Sequence, residues 1–223
     1  MRAAILIYPG TNRGQDVADA LHSFDITTIL VSCMDRDLPK CDLVILPGGF
    51  SFGDYLRSGA LASVTPIMQA VKTHSQRGGY VLGICNGFQI LTEAGLLPGF
   101  LMRNASLRFI CDQVVLKTHG DSIFVQHYHT QPSAKIPIAH LDGNYQCDER
   151  TLAMLQDEGQ IAFTYLDNPN GSIADIAGIT DKRGRILGMM PHFENAVLDH
   201  QAKLNQATFD GRLLFSALRQ IAC

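Results

Sequence analysis

Cys85 stands between two glycines in Gly83-Ile84-Cys85-Asn86-Gly87. An apolar run, Tyr80 to Ile84, leads into it, and a helix-compatible run, Gln89 to Ala94, leads away. Gly-x-Cys-x-Gly is the cysteine version of the nucleophile elbow of Gly-x-Ser-x-Gly enzymes. A nucleophile on a sharp strand-to-helix turn sits in a strained backbone, with chain passing close on both sides. Residues without a Cβ fit there cheaply. The turn also sets the sulfur at a helix N-terminus, where the dipole favours thiolate over thiol. The competing reading is a buried structural cysteine, the common fate of a free thiol. The paired glycines weigh against it.

A base for such a nucleophile is offered by Pro191-His192-Phe193-Glu194. In an extended segment residues i and i+2 project to the same side. A carboxylate on one ring nitrogen fixes the tautomer and frees the other nitrogen for a proton. Alone, His-x-Glu reads equally as a solvated polar loop or as half of a metal site. A third candidate is Pro47-Gly48-Gly49-Phe50-Ser51-Phe52-Gly53-Asp54. Its glycines let backbone N–H groups turn outward, and with the N–H of Asn86 they form a candidate oxyanion hole. An ordinary turn is the alternative. Gly48 to Gly53 has Walker-A glycine spacing, but Asp54-Tyr55 stands where Lys-Ser/Thr is required, so a P-loop is excluded. His127-x-His129 would suit a metal only with a third ligand, and none is nearby. Asn12 or Asp16 is expected to cap the first helix.

The elements that must hold these residues alternate. Strands are expected at 3–8, 26–32, 43–46 and 80–84, and helices at 16–23, 61–73 and 87–94. Such β-α alternation predicts a three-layer α/β/α fold around a mostly parallel, doubly wound sheet. Active sites in such sheets lie at the C-terminal strand ends, where Cys85 and Pro47-Gly48-Gly49 both fall. The second half predicts antiparallel additions. A hairpin of 107–117 with 122–129 is expected, then strands at 136–139, 161–165, 173–180 and 185–190. Arg183-Gly184 should turn between the last two. A helix over 151–156 and a closing helix over 203–221 complete a single domain, 1–223.

The chain has 223 residues, 46% of them hydrophobic and 17% charged, with net charge −3. This balance suits a well-buried domain and lacks the basic footprint of a nucleic-acid binder. No run approaches the roughly 20 apolar residues of a membrane span, and the first apolar run is too short for a signal peptide. Six cysteines, with no Cys-x-x-Cys pair, argue against a zinc site or disulfide framework. A cytoplasmic protein with reduced thiols is expected.

Taken together, these residues resemble the class I (triad) glutamine amidotransferases, and in detail their purine-biosynthetic branch. The resemblance covers nearly the whole chain. It rests on the glycine-loop string from Pro47 to Ala60 and on Gly83 to Gln89. To these it adds Asn104-Ala105-Ser106 with Arg108-Phe109, Ile136 to His140, and Gly188 to Glu194. It implies that Cys85 attacks the side-chain amide of L-glutamine, with His192 as proton carrier and Glu194 orienting it. The N–H groups of Gly49 and Asn86 would hold the oxyanion, and Gln89, Asn104 and Ser106 the α-amino and α-carboxylate ends. It implies no cofactor in this chain. Ammonia would pass to a large ATP-dependent synthetase, which uses ATP and Mg to convert formylglycinamide ribonucleotide to its amidine. A small bridging subunit often completes the family's complex. Two motifs depart from the family pattern: Phe193 replaces proline in Pro-His-Pro-Glu, and His140-Leu141-Asp142-Gly143 replaces His-Gly-Glu-Gly. Two other classes remain open on the triad alone, another cysteine hydrolase (a peptidase or γ-glutamyl hydrolase) and a non-catalytic binding module.

Overall fold

The apolar runs become strands whose side chains are covered on both faces. Arg2–Ile7 (β1), Thr27–Ser32 (β2), Leu43–Leu46 (β3) and Tyr80–Ile84 (β4) come first. Every residue of β3 is buried, as are four of the six in β1. That is the pattern of parallel strands sandwiched between helices. In the computed structural model, which describes residues 1–201 and 209–222, these strands form one half of a nine-stranded sheet. The other half uses Ile110–Thr118 (β6), Ser133–His140 (β7), Ile161–Tyr165 (β9), Ile176–Thr180 (β10) and Ile186–Met189 (β11). Phe100–Met102 (β5) and Asn144–Gln146 (β8) pair separately.

The sheet order is β2-β1-β3-β4-β11-β10-β9-β6-β7. From β2 to β11 all neighbours are parallel, and from β11 onward all are antiparallel. The expected parallel sheet with antiparallel additions is present. Its helices are Gly14–His22 (α1), Ala60–Ser63 (α2), Pro66–Gln76 (α3), Asn86–Glu93 (α4), Glu149–Asp157 (α5) and Gly211–Leu218 (α6). Helix α4 packs over β3, β4 and β11, while α1 and α6 both touch the turn Phe193–Ala196.

Four expectations need correction. The helix expected over 61–73 is two helices, broken at Val64-Thr65 because Pro66 has no N–H and starts α3 at its first position. The strand expected over 122–129 is a turn and the single 3-10 turn Gln126–Tyr128, and β6 pairs instead with β7. The burial of Phe124, Val125 and Tyr128 follows helical spacing, which an alternating reading overlooks. The strand expected from 173 begins at Ile176, after a 3-10 turn Ile173–Asp175. Neither Asn12 nor Asp16 caps α1: Arg13 occupies the cap, and Asp16 pairs with Arg13 at 2.9 Å. Part of the closing helix expected over 203–221 lies outside the described residues; α6 falls within the rest.

Candidate active site

Cys85 stands between β4 and α4 with φ 51° and ψ −104°, a conformation that costs a non-glycine residue energy. Its neighbours explain how the strain is tolerated. A Cβ on Gly83 would come 2.7 Å from the Gly87 backbone, and one on Gly87 would overlap the Leu46 carbonyl of β3. The elbow can therefore turn this tightly only with glycine at both places. Cys85 N–H donates to the Met189 carbonyl at 2.7 Å, tying the nucleophile to β11. Its sulfur lies 3.7 Å from the Ala139 carbonyl of β7.

His192 follows β11, and its N–H donates to Pro137 of β7 at 2.8 Å. Its Nδ1 lies 2.7 Å from Glu194 Oε1, and the two residues are 3% and 0% exposed. The expected pairing is present, but its geometry is not a continuous strand: Glu194 enters the 3-10 turn Phe193–Ala196. Between them Phe193 points into the core, against Phe163 (ring centroids 4.9 Å apart) and Tyr128 (6.2 Å). Aromatic packing thus immobilises the segment where the family's proline would restrict φ. Burial pulls the His192 imidazole down, but the Glu194 carboxylate and the Cys85 sulfur outweigh it and hold the ring well above the ordinary histidine range. A protonated ring beside the sulfur is the arrangement a thiolate nucleophile and a leaving amine both need.

The glycine loop closes the site from the β3 side. A Cβ on Gly48 would come 2.7 Å from His192 Cε1, so the loop lies against the ring. Gly49 (φ +154°) faces Thr11 across an isolated antiparallel bridge, flanked by Asn12 N–H to Gly48 O and Phe50 N–H to Gly10 O. Gly49 is the non-hydrogen-bonded member of that bridge, so its N–H points away from Thr11. Since β1 and β4 flank β3 on opposite sides, that N–H is turned toward the Cys85 side. Asn86 opens α4, where an N–H has no intrahelical carbonyl. The Asn86 side chain joins the two: Oδ1 accepts from Ser51 N–H at 3.1 Å, and Nδ2 donates to Gln89 Oε1 at 2.9 Å.

The residues expected to hold the amino-acid end separate. Gln89, 5% exposed, lies on α4 close to the elbow and donates from Nε2 to the Asp142 carbonyl at 2.7 Å. Asn104 is fully buried and saturated. Its Nδ2 donates to Arg108 O and His140 O, and its Oδ1 accepts from Gly143 N–H and lies 3.0 Å from His140 Nδ1. A direct substrate contact would have to break one of these bonds. Ser106 is exposed on the following turn, its Oγ accepting from Arg108 N–H at 3.4 Å. His127 is tied to Ser216 and Gln220 of the C-terminal segment, so it does not face His129 across a metal site. Sequence reasoning did not connect Asp54 or Asp142 with the elbow: Asp54 Oδ1 lies 3.5 Å from Asn86 Nδ2, and the Asp142 carbonyl accepts from Gln89. Their signal was an acidic residue inside the glycine-loop string and another at a departure from the family pattern.

A cysteine elbow with a buried His–Glu pair, at the C-terminal strand ends of a doubly wound sheet, is common to the class I glutamine amidotransferases and to other cysteine hydrolases of this fold, and similarity over the whole chain selects between them. The model of the CobB/CobQ-like glutamine amidotransferase domain matches residues 1–220. The phosphoribosylformylglycinamidine synthase subunit PurQ of Cereibacter sphaeroides is 52% identical over 220 residues, covering 98% of this chain and 97% of the relative. That of Ruegeria pomeroyi is 51% identical over the same shares. The structure of PurLQS from Thermotoga maritima matches with TM-score 0.89 and 36% identity, covering 100% of this chain and 99% of that one. Another glutamine amidotransferase from Thermotoga maritima, 16% identical with TM-score 0.66 over 99% of this chain and 97% of that one, shares the fold. The chain belongs to the PurQ family, the glutamine amidotransferase subunits of phosphoribosylformylglycinamidine synthase.

Proposed function

We propose that the chain hydrolyses L-glutamine to glutamate and ammonia through a thioester on Cys85, as one amidotransferase domain serving a separate synthetase. The observation that carries this reading is Cys85 at positive φ beside the buried His192–Glu194 pair. The sulfur bonds to the amide carbon, and the oxyanion that forms is met by the N–H groups of Gly49 and Asn86. The C–N bond then breaks. His192, held protonated by Glu194, gives its proton to the departing nitrogen, so ammonia leaves. Water adds to the thioester, with His192 now accepting its proton, and the C–S bond breaks to release glutamate. Gln89, on α4 just past the elbow, is assigned to the amino-acid end of the substrate. Cysteine, imidazole and water balance this reaction, so the ATP and Mg of the overall synthesis are assigned to the partner.

The partner is the PurL-type synthetase, with a small PurS-type subunit. The product is formylglycinamidine ribonucleotide, formed from formylglycinamide ribonucleotide and the transferred ammonia in purine biosynthesis. Among the described residues no helix is long and apolar enough to cross a membrane, and a cytoplasmic location is proposed on the pathway. The reading is tested by a glutaminase assay with the synthetase present. Cys85→Ala should abolish turnover. His192→Ala should cost nearly as much, on the order of 10²–10⁴-fold. Glu194→Gln keeps shape but loses the charge and should cost less. Near-normal turnover in His192→Ala, or cleavage of peptides in preference to glutamine, would sink it.

A further inference from the structure

A cavity of ≈ 750 Å³ lies at the opposite end of the sheet from the triad. Asp42, Tyr80 and Arg185 in its lining stand at the starts of β3, β4 and β11, whereas Cys85 and His192 follow the ends of β4 and β11. Five residues of β4 separate the two sites by about 15 Å. The cavity is a groove between α3 and the segment 36–42 that leads into β3. Charge is concentrated in it. Arg36, Lys40, Arg77 and Arg185 face only the carboxylates of Asp37 and Asp42, in a chain whose net charge is −3. Asp42 is partly engaged, since its Oδ2 accepts from Arg2 N–H at 2.8 Å. Among the described residues, the side chains of Arg36, Lys40 and Arg77 have neither an ion pair nor a hydrogen bond. Arg185 is already placed: its guanidinium lies 5.0 Å over the Tyr80 ring, and Nη1 donates to the Gly78 carbonyl. Arg183 Nη2 donates to the Ser75 carbonyl at 2.9 Å. These two arginines neutralise the carbonyl end of α3, which would otherwise repel an anion. His74 adds no charge, because burial pushes its imidazole down. Leu38, Pro39 and Ala70, each half-buried, give the groove an apolar side.

We propose that this groove binds a nucleoside monophosphate, at a site separate from the elbow. Arg36, Lys40 and Arg77 receive the phosphate. Arginine forks match its oxygens, and such charge-assisted hydrogen bonds are the strong ones. A phosphate alone would leave most of a cavity of this size empty, and cavities of this size hold small organic ligands. The apolar side supplied by Leu38, Pro39 and Ala70 takes the nucleoside, and the guanidinium of Arg185 offers a flat surface on which a base can stack. Lys40 and Arg77 are exposed, so each acts through screened charge and the affinity is modest. Binding here does not require glutamine turnover, because no residue of the elbow or of the His192–Glu194 pair lines the groove.

The test is calorimetric titration of the full-length chain, without the synthetase, which would bind nucleotide itself. Adenosine monophosphate, adenosine and inorganic phosphate are the probes, at low ionic strength. Adenosine monophosphate should bind at least about ten-fold more tightly than either of the others, since each lacks one half of what the groove recognises. The double variant Lys40→Ala/Arg77→Ala removes two exposed cations without touching the core, and should weaken adenosine monophosphate about ten-fold or more while leaving adenosine unchanged. Arg185→Lys keeps the charge but loses the flat fork, and should narrow the difference between adenosine monophosphate and inorganic phosphate. No binding of adenosine monophosphate up to about 2 mM overturns the proposal. Equal affinity for the nucleotide and adenosine overturns it as well, as does inorganic phosphate binding as tightly as the nucleotide. Undiminished binding in the double variant would place the nucleotide elsewhere on the chain and also overturn it.

Discussion

His140 shows how single side chains at this site are fixed by neighbours that no local pattern announces. Asn104 spends its Nδ2 protons on two carbonyls, so its Oδ1 is the end that meets His140. The proton on that histidine therefore sits on Nδ1, and Nε2 is left buried without a partner. Burial, and then the charge of His192, push this imidazole down from 6.5 to about 4. The sign of the linkage follows. Between about 4 and 6.5 the unfolded chain binds a proton here that the folded chain does not. The folded state therefore loses stability as pH falls below 6.5, and the loss is complete near 4. Asp54, raised to about 6, acts in the opposite sense over 3.8 to 6, though it is only half-buried. The two slopes offset each other in the wild type, so the informative quantity is a difference. Relative to His140→Gln, the wild type should lose about 2 kcal/mol more on going from pH 7 to 5. Denaturant titrations of both proteins at the two pH values measure it, and parallel profiles would contradict it. The catalytic candidates were legible in the sequence because cysteine, histidine and glutamate are few and their spacings are short. The saturation of Asn104 was not, because its partners come from residues 108, 140 and 143.

The strand–turn–helix that carries Cys85 was legible almost to the residue: Tyr80–Ile84 and Asn86–Glu93 frame the elbow. Continuous apolar runs and paired glycines are local signals, and here the tertiary structure agrees with them. The region from 107 to 140 was less legible. Its strands are an antiparallel addition whose partner lies across a 3-10 turn, and the choice between two candidate partners is made by packing. Tyr128 decides it, buried against Phe163 with its hydroxyl donating to the Asp210 carbonyl at 2.6 Å. At the elbow the packing is severe enough to test. Gly87→Ala drives a methyl into the Leu46 carbonyl, backbone against which no rotamer change helps. Overpacking of this kind costs about 1–3 kcal/mol where side chains can yield, and here the neighbour cannot. The variant should lose at least that much in chemical denaturation, and labelling of Cys85 by a glutamine-like electrophile should slow because the turn that presents it has moved. Retained stability with retained labelling would mean the elbow is looser than its geometry states.

The whole molecule gathers the site from segments spread along the chain, and the weakest of them faces outward. Loop residues Phe52, Asp54 and Leu56 all have positive φ, a cost of about 1–2 kcal/mol each for residues with a Cβ. Among the bonds that oppose this are Phe52 N–H to Pro9, Ser51 N–H to Asn86, Ser58 to Asp142, and Arg57 to Glu93. The last pair is exposed on the arginine side and contributes about 0–1 kcal/mol; a charge-assisted bond such as Ser58–Asp142 contributes about 1.5–3. Part of what these bonds contribute is offset by backbone strain, so the loop that bears Gly49 is the part of the site a docked partner can most readily stabilise. The chemistry favours such dependence. Ammonia released to bulk water at neutral pH becomes ammonium, a poor nucleophile, so turnover without a docked acceptor is wasted. Isolated chain should show low glutaminase activity, and kcat/KM should rise clearly when the synthetase and its ligands are present. Amidine formation from glutamine should need both chains, whereas high external ammonia should let the synthetase work alone. Arg57→Ala should lower the isolated activity further and leave a larger share of it recoverable by the partner. Each reaction is measured with each chain singly and together. Amidine synthesis by this chain alone would defeat the division of labour, and full glutaminase activity without the synthetase would defeat the dependence of the loop on docking.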